Sequence, residues 1–220
     1  MFNKDLCRNG RFYKKNYSTC NLNQTMKTND IKAVFIDRDG CLIKEYGYIN
    51  TLKKIRFFKN SIKALKLLKQ NGYKVIVVTN QSGVAYGYFP ESFVRQSHAF
   101  IAKKLKKHGT KIDAFYYCPH HIKAKIKKYK KNCKCRKPNI GMIIKAQKRF
   151  KINLKKSYVM GDKLTDVKLA HNAGMKGILL LTGFGRRQKT LIKKERINPD
   201  YVAKDFLHGA KWVVKNNGGK

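Results

Sequence analysis

Acidic residues are scarce in this chain: 12 Asp and Glu face 51 Lys and Arg across 220 residues, a formal net charge of +39. Arginine is scarce as well, since 41 of the 51 cations are Lys and 10 are Arg. Specific recognition of base edges and phosphates favours the bidentate Arg fork, so the lysines read as solvated faces and no specific nucleic-acid partner is expected. The different-class alternative is a non-catalytic polyanion-binding protein that uses this basic surface. No apolar run approaches the ~20 residues of a bilayer-spanning helix, and the longest, around Val75–Val78 and Ile178–Leu181, have strand length. No membrane partner is expected. No secretory apolar segment accompanies the six cysteines (7, 20, 41, 118, 133 and 135), so the chain reads as cytoplasmic and not as a disulfide scaffold.

What the chain does have is a regular alternation of strands and helices. Residues 1–30 are polar, aperiodic and Asn/Lys-rich, and read as a disordered or extraneous arm, with Met26 an alternative start. From Ile31 to the end a single domain is expected. Apolar stretches at 32–36, 73–80, 111–118, 157–162 and 176–183 predict strands, with a last short strand near 201 and a short β-like stretch in "KKIRFF" (53–58). Helices are predicted at about 61–72, 90–109, 141–150, 164–173 and in the final segment. This order gives an α/β fold: a doubly wound, mostly parallel, Rossmann-like sheet covered on both faces. Such sheets bind ligands beyond the carboxyl ends of their strands. Asp37/Asp39, Thr79/Asn80, Cys118/His120 and Gly161/Asp162 end successive strands and should therefore share one edge.

Three clusters at those ends carry chemistry. Asp37 and Asp39, two apart, share one side of an extended chain; with Asp162 they make an oxygen-rich pocket suited to Mg²⁺, and Asp166 lies one turn further on. The bland alternative for Asp162 is a helix cap. Thr79-Asn80-Gln81-Ser82-Gly83 offers hydroxyl, amide and backbone donors to a phosphate, and Arg136 and Lys137 add cations. "CPHHIKAKIKKYKKNCKCRKP" (118–138) holds Cys118, His120, Cys133 and Cys135 at the spacing of a closed Cys₃His zinc site; His121 competes with His120 for the fourth place. The zinc would clip a loop, 118–135, that has little apolar content of its own.

These motifs, "DRDG" (37–40), "GYI" (47–49), "VVTNQSG" (77–83), "YYCPHH" (116–121), "CKCRKP" (133–138) and "MGDKLTD" (160–166), together resemble the haloacid-dehalogenase-like (HAD-like) phosphatases. Within them the likeness is to the subfamily of heptose bisphosphate and histidinol-phosphate phosphatases, and it covers about residues 31–214. The resemblance implies that Asp37 is the nucleophile forming an aspartyl-phosphate, and that Asp39 is the general acid and then base. It implies that Asp37, the Asp39 carbonyl and Asp162 hold Mg²⁺, and that Thr79, Asn80, Gln81 and Lys137 bind the phosphoryl group. Arg136 would bind a substrate group, Lys163 and Asp166 would support the site, and Cys118, His120, Cys133 and Cys135 would hold structural zinc. It implies a phosphorylated sugar as substrate; a monomer is expected. The long zinc loop leans toward the heptose type. "DRDGCLI", with Cys41-Leu42-Ile43, leans toward the histidinol type, and Tyr86 stands where an arginine is common.

Overall fold

The protein is described by a computed structural model over residues 31–216; the expected arm, residues 1–30, lies outside the described residues. Its sheet has six strands, all parallel: β1 (Ala33–Ile36), β2 (Lys74–Asn80), β3 (Ala114–Cys118), β4 (Tyr158–Gly161), β5 (Lys176–Leu180) and β6 (Tyr201–Ala203), in the spatial order 3-2-1-4-5-6. The helices are α1 (Ser61–Gln70), α2 (Glu91–Lys107), α3 (Gly141–Phe150), α4 (Leu164–Asn172), α5 (Gly185–Thr190), α6 (Ile192–Glu195) and α7 (Phe206–Lys215).

Side chains two apart along a strand share a face, and the core divides accordingly. Val34, Ile36, Val75 and Val77 point to one side and pack with Leu65 and Leu68 of α1, Ile101 and Leu105 of α2, and Val213 of α7. Ala33, Phe35, Ile76 and Val78 point to the other, against Met142, Ile143 and Ala146 of α3 and Ala170 of α4. Both faces are therefore buried, which is why the strands read as continuous apolar runs. Each fully buried Val, Leu or Ile contributes roughly 1.5–3 kcal/mol relative to exposure.

The strand order reverses at β1, which pairs with β2 on one side and β4 on the other. The crevice past β1 is thus the switch point of the sheet. Two local readings are corrected. "KKIRFF" forms no strand: Leu52–Lys54 is a 3₁₀ turn and only Phe57 bridges back, antiparallel, to Ile43. Residues 185–195, for which no element was expected, form α5 and α6, short helices without an apolar stripe long enough to register in the sequence. No described helix is long and apolar enough to cross a membrane.

Candidate active site

Asp37 follows β1 directly, and its N–H continues the ladder to the Met160 carbonyl at 3.0 Å. The site is therefore anchored on the central strand rather than on a free loop. Asp37 Oδ1 accepts the Arg38 N–H at 2.8 Å and lies 3.0 Å from Lys137 Nζ. Lys137 is buried, and its ammonium also contacts Asp166 Oδ1 at 2.6 Å and the Val78 carbonyl at 3.0 Å. Burial opposes charge on this lysine, but Asp166 and Asp37 outweigh it, and its pKa is raised. Asn80, expected at the phosphate, lines the same cavity as Asp37 and Lys137, but its side-chain amide bonds to the Lys137 main chain. Its Oδ1 accepts the Lys137 N–H at 3.0 Å and its Nδ2 donates to the Lys137 carbonyl at 3.2 Å. It fixes the main chain that carries the lysine.

Asp39 turns away from this group. Its carboxylate accepts from Arg38 Nε at 3.1 and 3.2 Å, pairs with Arg38 Nη2 at 2.9 Å, and accepts from Gln81 Nε2 at 2.7 Å. The same Gln81 amide donates to Thr79 Oγ1 at 2.9 Å. Asp37, Asp39, Thr79, Asn80, Gln81, Arg136, Lys137 and Lys163 line one cavity of about 500 Å³, together with Glu45, Tyr48 and Phe184.

Beneath the cavity floor, carboxylate oxygens of Asp37, Asp162 and Asp166 lie within 4.8 Å of one another. Asp162 Oδ2 accepts the Phe184 N–H at 2.8 Å, while Oδ1 is buried without a hydrogen-bond partner. Burial, then the charges of Asp37 and Asp166, push the Asp162 carboxyl up to about 8. Burial also lifts Asp166, to about 6, against the pull of Lys137. An orphaned oxygen among crowded carboxylates is what a divalent cation satisfies, so these residues fit Mg²⁺. The backbone makes room for the Asp162 carboxylate. Gly40, at φ +82°, and Gly183, at φ +51°, both abut the Asp162 carboxylate, where a Cβ on either would collide.

The second cluster lies past β3. Cys118 Sγ is 3.4 Å from Cys133 Sγ and 3.7 Å from His120 Nδ1; Cys135 Sγ is 3.2 Å from Cys133 Sγ and 3.4 Å from His120 Nδ1. Four donors facing one point could hold a metal ion. His121 stands apart, its ring 3.0 Å from the Tyr86 hydroxyl and accepting from the Lys123 N–H. Arg136 donates to the His120 carbonyl at 3.0 Å, so the Cys-rich turn and the cavity are tied together through this side chain.

Sequence reasoning missed Arg38, although it is 2% exposed and joins three side chains. The signal was available: a lone cation between two aspartates at the end of an apolar strand needs buried partners. Cys41, Leu42 and Ile43, where the chain departs from the heptose pattern, are wholly buried and absent from the cavity wall. They have no route to influence substrate choice by contact.

A family model described as HAD-hydrolase-like matches residues 134–208. A Haemophilus influenzae protein named D-glycero-beta-D-manno-heptose-1,7-bisphosphate 7-phosphatase is 42% identical over 153 residues, 69% of this chain and 83% of that protein. The chain belongs to the HAD-like phosphatase family. A Photorhabdus laumondii relative named for the alpha anomer of the same bisphosphate is 34% identical over 166 residues, 75% of this chain and 91% of its own. Among solved structures, the D,D-heptose 1,7-bisphosphate phosphatase of B. bronchiseptica, complexed with magnesium and phosphate, superposes with a TM-score of 0.74 at 27% identity, covering 84% of this chain and 99% of that one. The HAD-like fold expected from the motifs is thus the fold observed.

Proposed function

We propose that this HAD-like phosphatase removes the 7-phosphate of D-glycero-D-manno-heptose 1,7-bisphosphate through an aspartyl-phosphate on Asp37. The observation that carries the reading is the buried Asp37–Lys137–Asp166 chain beside the orphaned Asp162 oxygen, at the floor of a cavity at the sheet's switch point. Its substrate assignment leans on relatives bearing that name.

Asp37 Oδ1 is held by Arg38 N–H and Lys137, which leaves Oδ2 as the attacking oxygen. It forms a bond to phosphorus as the bond from phosphorus to the sugar oxygen breaks, and the departing alkoxide takes a proton from Asp39. Water then attacks the aspartyl-phosphate, gives its proton to Asp39, and releases inorganic phosphate and the Asp37 carboxylate. Thr79 and Lys137 bind phosphoryl oxygens, Arg136 binds a second anionic group of the substrate, and Lys163 adds positive potential at the wall. Mg²⁺, held by Asp37, the Asp39 backbone carbonyl and Asp162 with Asp166 close by, would neutralise charge on the phosphoryl group. Cys118, His120, Cys133 and Cys135 would hold a structural Zn²⁺. We take the protein to act as a cytoplasmic monomer without specific nucleic-acid partners. The domain is residues 31–220, with the zinc loop at 118–135.

With Mg²⁺, purified protein should release phosphate from the heptose bisphosphate with a higher kcat/KM than from histidinol phosphate. The reverse order would refute the substrate assignment. Absence of turnover on both, with salt-sensitive binding to nucleic acid, would mark a polyanion-binding protein instead.

A further inference from the structure

We propose that Arg38 is the positioning residue that keeps the Asp39 carboxylate, as distinct from its backbone carbonyl, out of the metal group and aimed into the cavity, so that this fourth acid stays available for proton transfer. The inference rests on the reading of Asp39 as acid and base above.

Four aspartates crowd this strand edge, yet only Asp37, Asp162 and Asp166 converge to within metal-binding distance. A carboxylate two residues from Asp37 and beside a divalent cation would be drawn to it unless something stronger held it. Arg38 supplies that hold. Its guanidinium faces Asp39 with Nε and Nη2, while Nη1 donates to Ser97 Oγ at 2.8 Å and Nη2 to Gln81 Oε1 at 2.9 Å. Ser97 in turn donates to the Val94 carbonyl within α2 at 2.7 Å. The guanidinium is therefore fixed to a helix of the core. Gln81 completes the clamp by donating to both Asp39 and Thr79. Arg38 and Gln81 are both at least nine-tenths buried, and the Asp39 side chain is the member left partly open, at 14% exposure. A planar, multidentate cation of this kind fixes orientation as well as charge, which lysine would do less well.

Two readouts separate positioning from mere stability. The first is kcat/KM on two substrates, because that ratio reports steps only through phosphoryl transfer to Asp37. A sugar phosphate leaves as an alkoxide and needs a proton; p-nitrophenyl phosphate leaves as a stabilised phenolate and does not. Arg38→Met should lose roughly 10²-fold or more on the sugar phosphate and at least tenfold less on the aryl phosphate. Arg38→Lys should recover part of the loss, and Ser97→Ala, remote from the cavity, should show the same bias more weakly. The second readout is Mg²⁺ titration by calorimetry: Arg38→Met should bind the ion more tightly, and adding Asp39→Asn should cancel the gain. Equal losses on both substrates, or unchanged Mg²⁺ affinity, would overturn the inference. Should Arg38→Met fail to fold, Arg38→Lys and Ser97→Ala carry the same comparison. Asp39→Asn alone is the control: if it shows no substrate bias, the acid/base reading of Asp39 is what fails, whereas bias in Asp39→Asn without bias in the Arg38 variants defeats only the positioning role.

Discussion

Replacing Lys137 by Met exposes how this site tolerates its own charge. The side chain is 2% exposed and its ammonium lies 3.0 Å from Asp37 and 2.6 Å from Asp166, with Asp162 in the same group. Methionine fills much the same volume, so the loss is electrostatic: crowded carboxylates without their shared cation. Removing one partner of a buried ion pair costs about 3–5 kcal/mol. For a domain of this size that corresponds to a fall in melting temperature of about 6–20 °C. The sign of the pH dependence follows from the carboxyls. Asp162, at about 8, and Asp166, at about 6, bind protons more tightly folded than unfolded. Their contribution therefore falls as pH rises from the ordinary carboxylate range through those values. Losing Lys137 removes the stronger of the two cations that lower Asp166, the other being Lys163, so the cluster would take up a proton at low pH. The destabilisation should be largest near pH 8, smaller near pH 5.5, and partly offset by Mg²⁺ at pH 8. Thermal melts of both proteins at the two pH values, with and without Mg²⁺, measure all three. A loss below about 1 kcal/mol that is the same at both pH values would refute the charge-balance reasoning.

Two further outcomes follow from the geometry. The purified protein is expected to carry one zinc per chain, and Cys133→Ser to lose it and some stability, because its sulfur touches both other thiols; elemental analysis checks it, and full retention of zinc in the variant would rule out the ligand set. Gly40→Ala should cost several kcal/mol in stability or abolish Mg²⁺ binding, since the residue sits at φ +82° and its Cβ would meet the Asp162 carboxylate; calorimetric titration and melts would show whether the alanine is instead tolerated.

Much of the fold was legible because both faces of the sheet are covered. Runs such as Val75–Val78 announce buried strands, and the helices between them have apolar stripes. The short helices α5 and α6 were not, since six- and four-residue helices show too little periodicity to register. Lys137, which ends no strand, was singled out only by its place beside the Cys-rich turn. Strand-end logic placed Asp37, Thr79 and Asp162 at one edge because all strands are parallel. It could not divide labour among them. Asn80 bonding to the Lys137 backbone, and Asp39 being clamped by Arg38 with Gln81, depend on contacts across 57 and 43 positions of sequence that no local pattern reports. Cys41 and Ile43 misled in the opposite sense: as motif letters they bear on substrate, but they are core residues that do not line the cavity.

The central claim is a covalent phosphoryl group on Asp37. Acid-quenching the Mg²⁺-loaded enzyme during turnover of the heptose bisphosphate, then mapping its peptides by mass spectrometry, tests it most directly. The account predicts one phosphoryl group on the peptide carrying Asp37, and neither adduct nor turnover in Asp37→Asn. Turnover surviving in that variant, or phosphate trapped on another residue, would contradict it.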